Sequence, residues 1–180
     1  MLKSLVILLR PQQWLKNLFV LAPAFFAGSF LVADVLRDSL LTFIIFSAAA
    51  STVYIFNDWI DRQADSKHPE KKTRPIASGQ ISGKIALFIG LLTLLMSMLM
   101  GLSFLNFEVI AITGSYLVLN LAYTLILKNI AILDVSCIAT GFVLRLFAGS
   151  EATGIELSSW IITLTFLLAL FLALAKRRDD

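Results

Sequence analysis

From Ile85 to Phe107 the chain runs for 23 residues without a charged side chain. Few environments accept such a run. A bilayer core about 30 Å thick is crossed by about 20 predominantly apolar residues in a helix. Apolar stretches of similar length recur along the sequence, so that 58% of its 180 residues are hydrophobic and only 15% charged, with a mean hydropathy of +0.87. One soluble core of this size cannot bury so much apolar surface. The chain is therefore expected to be an all-α integral membrane protein, one domain over residues 1–180.

The punctuation between apolar runs sets the expected order of helices. Residues 1–13 are too short to cross, carry Lys3 and Arg10, and stop at Pro11, which reads as an interfacial helix lying on the membrane. Trp14, Lys16 and Asn17 follow as an interfacial anchor. About six spans are then expected, the first at about Leu18–Val35, with Pro23 and Gly28 tolerated inside it. A polar turn, Asp34–Ser39, leads to a second at about Leu40–Phe56, whose small residues Ser47–Ser51 permit close helix packing. The others cover about Lys84–Phe104, Val109–Leu127, Ile130–Gly149 and Leu157–Ala175. Only the loop 66–83 is both long and polar, and Pro69, Pro75 and Gly79 keep it from being one helix.

With six crossings, thirteen of the fifteen basic residues fall on one side, Arg37 falls on the other and Arg145 lies within a span. That asymmetry places both termini and the loop 66–83 in the cytoplasm. A net charge of +3 and a pI near 9.2 therefore describe a membrane face, and no nucleic-acid partner is expected. Cys137, the single cysteine, sits in an apolar run as a small core residue, which excludes a disulfide framework. Pro11, Gln12 and Gln13 interrupt the first apolar run, so no cleavable signal peptide is expected.

The chemistry concentrates between Asn57 and Pro75, in NDWIDRQADSKHPEKKTRP. Asp58, Asp61 and Asp65 stand at offsets 0, 3 and 7, which at about 100° per residue fall at roughly 0°, 300° and 340°, one narrow helix face with Asn57 at its edge. Neighbouring carboxylates on that face are roughly 5–6 Å apart at Cβ and repel by about 3 kcal/mol per pair at an effective dielectric near 20. Such a face wants a cation. Hard oxygen ligands without thiol or imidazole suggest Mg2+, which binds through one or two carboxylates together with substrate phosphates. Lys67, Lys71, Lys72 and Arg74 follow directly, suited to those phosphates.

Asn57-Asp58-x-x-Asp61-x-x-x-Asp65 between the second and third spans resembles the first aspartate-rich motif of the UbiA superfamily of intramembrane prenyltransferases. The blocks RPQQWLKNLFVLAPAFFAG, HPEKKTRPIASGQIS and LKNIAILDVSCIATGFVLRLFAG are similar to its decaprenyl-phosphate phosphoribosyltransferase branch, and the likeness covers essentially the whole chain. The resemblance implies a UbiA-type bundle around a central cavity open to the cytoplasm, in the cell (inner) membrane. The parent fold has about nine spans, so the chain is expected to be an N-terminal fragment. It further implies transfer of a 5-phosphoribosyl group from 5-phosphoribosyl 1-diphosphate to a polyprenyl phosphate, with release of diphosphate. By the same resemblance Asp58, Asp61 and Asp65 hold Mg2+ and Asn57 supports them. Lys67, Lys71, Lys72 and above all Arg74 are expected to meet the donor's phosphates, with Lys128 a further candidate. The superfamily's second acidic motif falls at Lys176-Arg177-Arg178-Asp179-Asp180, where Lys176 and Arg177 would meet phosphate and Asp179 or Asp180 a second metal.

Plainer readings compete. The loop lysines also suit a positive-inside anchor on anionic lipid, and His68 beside Pro69 suits a loop contact. Asp134 and Arg145 share a helix face but lie roughly 16 Å apart along the axis, so no direct pair is expected. Arg145 is a substrate-binding candidate that could instead snorkel outward or meet Glu151. Gly79–Lys84 has the wrong spacing for a phosphate-binding P-loop. The rival functions are prenyl transfer to an aromatic acceptor by the same acidic face, and a transporter or scaffold without catalysis.

Overall fold

The structure, a computed structural model, describes residues 2–179, the side chains of Leu2, Ala131, Arg178 and Asp179 excepted. The expected metal roles of Asp179 and Asp180 therefore fall outside the described residues. Every regular element among those described is helical.

Helix α1 (Leu2–Leu9) stops where proline demands it. Pro11 has no N–H and its ring drives the preceding residue out of the helical region. Arg10 takes a left-handed conformation, φ 52° and ψ 58°, the one non-glycine residue with positive φ among those described. The helix ends four residues before the expected boundary, and its inner face is covered by protein. Leu8 is fully buried in a cluster with Ile55, Ile76, Ile81 and Ala86, while Val6 and Ile7 stay exposed. Ser51 Oγ donates to the Leu9 carbonyl at 2.9 Å, which ties the end of α1 to the second span.

The first crossing departs from the expected one. Pro11–Leu21 is a 3₁₀ helix, and α2 (Ala22–Phe26) continues it with Pro23 in its first turn. At about 2.0 Å per residue the 11 residues of 3₁₀ helix rise about 22 Å, and the five of α2 add about 7 Å. Together they cover close to the roughly 30 Å of a bilayer core. The crossing is thus over by Phe26, where an α-helix begun at Leu18 would reach Val35. Gly28, with φ 69°, closes the reversal. Of the anchor expected at Trp14, Lys16 and Asn17, Lys16 is exposed and Trp14 half-buried, but Asn17 turns into the bundle. Asn17 is fully buried and donates to Ser47 Oγ at 3.1 Å, and Trp14 Nε1 donates to Ser51 Oγ at 3.0 Å.

Helix α3 (Ala33–Ile60) begins just before the stretch Asp34–Ser39 expected to be a turn and takes in all of it. Asp34 sits in its first turn, where a carboxylate suits the helix N-terminus, and Arg37 pairs with Asp34 and Asp38 at 3.2 and 2.9 Å. Its 28 residues rise about 42 Å. That exceeds the hydrocarbon core, so the end carrying Asn57 and Asp58 projects beyond it. Small residues let neighbours approach this helix, as expected: Ser47, Ala49, Ala50 and Ser51 are buried. Against it lies α5 (Gly83–Phe104), bound through Thr52 and Thr93 hydroxyls 2.8 Å apart and by Ser97 Oγ donating to the Ile45 carbonyl at 3.0 Å. Such side-chain bonds are the glue available where lipid removes the hydrophobic drive.

The remaining helices follow the expected order with boundaries shifted by a few residues. They are α6 (Phe107–Leu125), α7 (Ala131–Thr153) and α8 (Ser159–Asp179). The short helix α4 (Arg62–Lys67) follows α3. Among the described residues five helices, α3 and α5–α8, are long and apolar enough to cross a membrane. With the composite crossing 11–26 they make six. An even number returns the chain to the starting end, where Arg10, Asp58, Asp61, Lys128 and Arg177 lie close together. Asn106 and Glu151 meet at the opposite end, Nδ2 donating to the carbonyl at 2.8 Å.

One close approach fixes the first crossing against α7. A Cβ on Gly149 would overlap the Val20 carbonyl. Gly149→Ala is therefore expected to destabilise the protein by about 1–3 kcal/mol, the range for overpacking a close contact. Gly114→Ala, whose Cβ meets nothing within 4 Å, should stay within about 0.5 kcal/mol of the parent. Thermal unfolding of both variants in detergent micelles checks the contrast.

Candidate active site

The acidic face is built by two helices that nearly continue each other. Asp61 ends α3 and starts α4 with φ −80° and ψ 0°. Backbone bonding runs through the joint, Asp61 N–H donating to the Asn57 carbonyl at 2.9 Å and Asp65 N–H to the Asp61 carbonyl at 2.8 Å. The helical offsets therefore survive the break. Asp58 and Asp65, 2% and 4% exposed, converge on one atom. Arg74 Nη1 lies 3.0 Å from Asp58 Oδ1 and 2.7 Å from Asp65 Oδ2. A second guanidinium joins them, with Arg10 Nη2 2.6 Å from Asp58 Oδ1 and its charge 5.2 Å from the Tyr54 ring centre. Two buried like charges are tolerable only with such partners.

Asp61 turns to a different cation. Lys128 Nζ, from the 3₁₀ turn Leu127–Asn129 between α6 and α7, lies 3.2 and 3.4 Å from its two oxygens. The three carboxylates thus share one end of the bundle, but two face the arginines and one faces a lysine. Among the described residues no three acidic, histidine or cysteine side chains are gathered as a ready metal cage. Asp58 and Asp65, already sharing one cationic nitrogen, are the pair best placed to share a metal, and their hard oxygens fit Mg2+. Asp61 is close in sequence and free to turn towards them only by leaving Lys128.

Arg74 is held from below. Pro75 and Ile76 are buried, and Ile76 and Ile81 enter the cluster around Leu8. The turn closes through Ser78 N–H to the Arg74 carbonyl and Ile81 N–H to the Pro75 carbonyl, both 2.9 Å, with Gly79 at φ 75°. Lys67, Lys71 and Lys72 are exposed around this rigid segment. His68 makes the loop contact, its Nδ1 accepting from the N–H groups of Glu70 and Lys71 at 3.2 and 3.3 Å. Asn57 is half-buried beside Asp58, and Lys176 is exposed at the end of α8.

A second ionic group adjoins the first. Asp134, 1% exposed at the start of α7, accepts from Tyr123 Oη at 2.8 Å through Oδ1. Its Oδ2 meets Arg177 Nε and Nη2 at 2.7 and 2.6 Å. Arg177 Nη2 also reaches the Lys128 carbonyl at 3.5 Å. Arg145 lies elsewhere. It neither snorkels nor meets Glu151: it is 4% exposed inside the bundle, donating to Asn17 Oδ1 at 2.7 Å, the Gly141 carbonyl at 2.6 Å and Tyr116 Oη at 3.1 Å. The structure does not bring it to the acidic face, and it makes no pair with Asp134. Arg10 and Tyr123 carry no signal in the sequence pattern, since their partners are 48 and 11 residues away.

Comparison with known proteins now has a geometry to attach to. A model of the UbiA prenyltransferase family matches residues 18–180. The decaprenyl-phosphate phosphoribosyltransferase of Corynebacterium glutamicum is 37% identical over 174 residues, covering 94% of this chain and 52% of that protein. Its namesake in Mycolicibacterium smegmatis is 35% identical over 181 residues, covering 98% and 57%. The chain thus spans about half the length of the curated relatives it matches. A solved UbiA homolog from Archaeoglobus fulgidus, described as bound to GPP and Mg2+, superposes with a TM-score of 0.77 at 22% identity, over 93% of this chain and 60% of that one. It has the same fold.

Removing Arg74 tests the shared-cation geometry. Arg74→Gln should destabilise by about 2 kcal/mol, below the roughly 3–5 kcal/mol of a fully buried pair because Arg74 keeps part of its surface in solvent. Adding Asp65→Asn to Arg74→Gln should recover part of that loss. Denaturation of the single and double variants gives the coupling; strict additivity of the two changes would contradict the shared contact.

Proposed function

The chain belongs to the UbiA prenyltransferase family, and from that premise we propose that it carries the phosphate-handling half of a polyprenyl-phosphate phosphoribosyltransferase. The reaction moves a 5-phosphoribosyl group from 5-phosphoribosyl 1-diphosphate to a polyprenyl phosphate. An oxygen of the lipid phosphate bonds to C1 of the ribose while the bond from C1 to diphosphate breaks, and diphosphate departs with the electron pair. The names of relatives at 35–37% identity support the substrate pair. The observation that carries the reading is the meeting of Asp58 and Asp65 on Arg74 Nη1, with Arg10 and Lys128 beside them.

Charge balance explains what such a cluster does. Among the described residues, each of Asp58, Asp65, Asp61 and Asp134 already has a cationic partner in Arg10, Arg74, Lys128 or Arg177. Cations engaged in this way leave little surplus for a substrate bearing several negative charges. Mg2+ held by Asp58, Asp61 and Asp65 would supply that surplus and neutralise the leaving diphosphate. With the carboxylates so engaged, Arg74 and Arg10 become available to phosphate oxygens. A guanidinium fork suits them by shape as well as charge. The lipid phosphate is already an anion, so attack requires no general base. Arg74 approaches from a rigid loop, which keeps its donors aimed without reorganisation. The protein is integral to the membrane, and its basic end faces the cytoplasm by the distribution of its lysines and arginines.

The test follows labelled phosphoribosyl diphosphate. Membranes containing the full-length protein, given polyprenyl phosphate, should form labelled lipid that EDTA abolishes. Asp61→Ala and Asp65→Ala should each lower turnover by roughly a hundredfold or more, the scale of losing a main electrostatic element of the transition state. Label found in an aromatic prenyl product, or activity that survives Asp61→Ala, rejects the proposal.

A further inference from the structure

Helix α1 has two faces, and packing within the protein accounts for one of them. At about 100° per residue Ser4, Leu5, Leu8 and Leu9 fall on one half of its circumference, and Lys3, Val6 and Ile7 on the other. The first set meets protein. Leu5 and Leu9 flank the buried Leu8 in its cluster, and Ser4 Oγ donates to Gln80 Oε1 at 2.9 Å. In the second set Val6 and Ile7 are 51% and 43% exposed, with the exposed Lys3 between them. We propose that this outer face is seated in the bilayer interface, and that the seating clamps the loop 74–81 and so aims Arg74 and Arg10. The aim at donor phosphates rests on the reaction proposed above; the seating and the clamp do not.

The neighbours of α1 set its depth. Ala86 and Ile89, which pack on the Leu8 cluster, belong to the first two turns of α5. The same two turns expose Ile85 and Phe88, in a helix long and apolar enough to cross the membrane. Helix α1 therefore lies at a level where a spanning helix already presents apolar side chains to lipid. It is also joined directly to the first crossing, which begins at Pro11. The left-handed Arg10 turns the chain at that joint, so α1 does not simply prolong the crossing. A short helix at this level, with aliphatic side chains outward and a lysine long enough to reach headgroups, fits the boundary between headgroups and acyl chains.

Leu8 couples the two faces. Ile76 and Ile81 bracket the turn that follows Arg74, and both rest on the cluster that Leu8 completes. The Ser4 bond holds Gln80, next to the left-handed Gly79 at the tip of that turn. At the other end of α1 the Leu9 carbonyl is held by Ser51, and Arg10 follows at once to reach Asp58 with its charge over the Tyr54 ring. One helix of eight residues thus supports both guanidiniums that meet Asp58. Were α1 to lift from the bundle, the turn after Arg74 would lose part of its floor and Arg10 would lose its origin. An outer face anchored in lipid opposes that lifting.

Three measurements on the full-length protein in nanodiscs separate seating, clamp and aim. A nitroxide at position 7, attached through Ile7→Cys in a Cys137→Ser background, reads the seating. Oxygen should reach it more readily than a water-soluble nickel chelate, at a depth of about 5–10 Å into the interface. Hydrogen exchange at the Ser78 and Ile81 amides, whose bonds close the loop, reads the clamp. The double change Val6→Glu with Ile7→Glu, and separately Leu8→Ala, should speed that exchange by about tenfold or more, whereas Ile7→Leu should leave it within about twofold. In turnover the double glutamate variant should raise KM for phosphoribosyl diphosphate by about tenfold and leave KM for polyprenyl phosphate within about twofold. If Leu8→Ala does not fold, the changes at the exposed positions 6 and 7 decide the outcome. A label reached more readily by the chelate, a label closed to both probes as in a protein contact, unchanged exchange in the double glutamate variant, or an equal rise of both KM values overturns the proposal. Faster exchange in that variant, with no labelled lipid formed even by the parent, would reject the reaction and leave the clamp standing.

Discussion

Two carboxylates held on a single guanidinium nitrogen set the terms for this end of the molecule. Left alone, Asp58 and Asp65 would be two buried anions on one helix face, and their desolvation would weigh against the folded helix end. Arg74 satisfies both, but only while the loop 74–81 stays where it is. That loop is held by Ile76 and Ile81 in the cluster that α1 closes with Leu8. The short N-terminal helix is therefore part of the electrostatics. It leads directly into Arg10 and holds Arg74 through packing.

The second ionic group extends the same logic across the bundle. Lys128 joins the turn between α6 and α7 to Asp61, and Arg177 joins the end of α8 to Asp134. The residue after α1, the loop at Arg74, the turn between α6 and α7 and the end of α8 are thus each tied to a carboxylate on a neighbouring element. Helices that pass through lipid have little hydrophobic reason to choose one neighbour over another. Charge pairs at their projecting ends, together with small-residue contacts within the membrane, choose for them. The result is a cluster whose described carboxylates already have cationic partners, and the proposed reaction requires them to exchange those partners to accept a polyanion. That requirement suits a site whose ligand arrives together with a metal.

Much of this was legible in the sequence because it depends on periodicity. The spacing of Asp58, Asp61 and Asp65 survives a break in the helix because the backbone hydrogen bonds run through it. Helices α5–α8 follow from apolar length alone. The first crossing did not follow, since the expectation assumed the rise of an α-helix where the chain adopts a 3₁₀ helix. Asp34 and Arg37 read as a turn because charge suggests one, whereas they lie at the start of α3 and pair there. Arg10 looked like a membrane-surface charge. No one-dimensional pattern says that a left-handed residue before a proline will reach a carboxylate 48 positions later. Asp134 was visible as an odd charge at a span's start, but its partner lay across the bundle, at the end of another helix.

Arg145 completes the account from within the membrane. It is buried among Asn17, Tyr116 and the Gly141 carbonyl, with its charge 4.8 Å from the Tyr116 ring centre. A buried cation in a span is usually a functional signal. Here its partners point to register. Asn17 accepts from Arg145 and donates to Ser47, so one amide fixes the 3₁₀ crossing against α7 and α3 together. Gly149 lets that crossing come close enough for its backbone to touch α7. Asn17 follows Arg10 by seven residues, roughly 14 Å at the rise of a 3₁₀ helix. A lock at Asn17 therefore sets how far Arg10 projects from the membrane and whether it reaches Asp58. A slip of one residue would move the guanidinium by about 2 Å, enough to break a contact of 2.6 Å. The buried polar group in mid-bundle and the charged cluster at its end are two parts of one alignment.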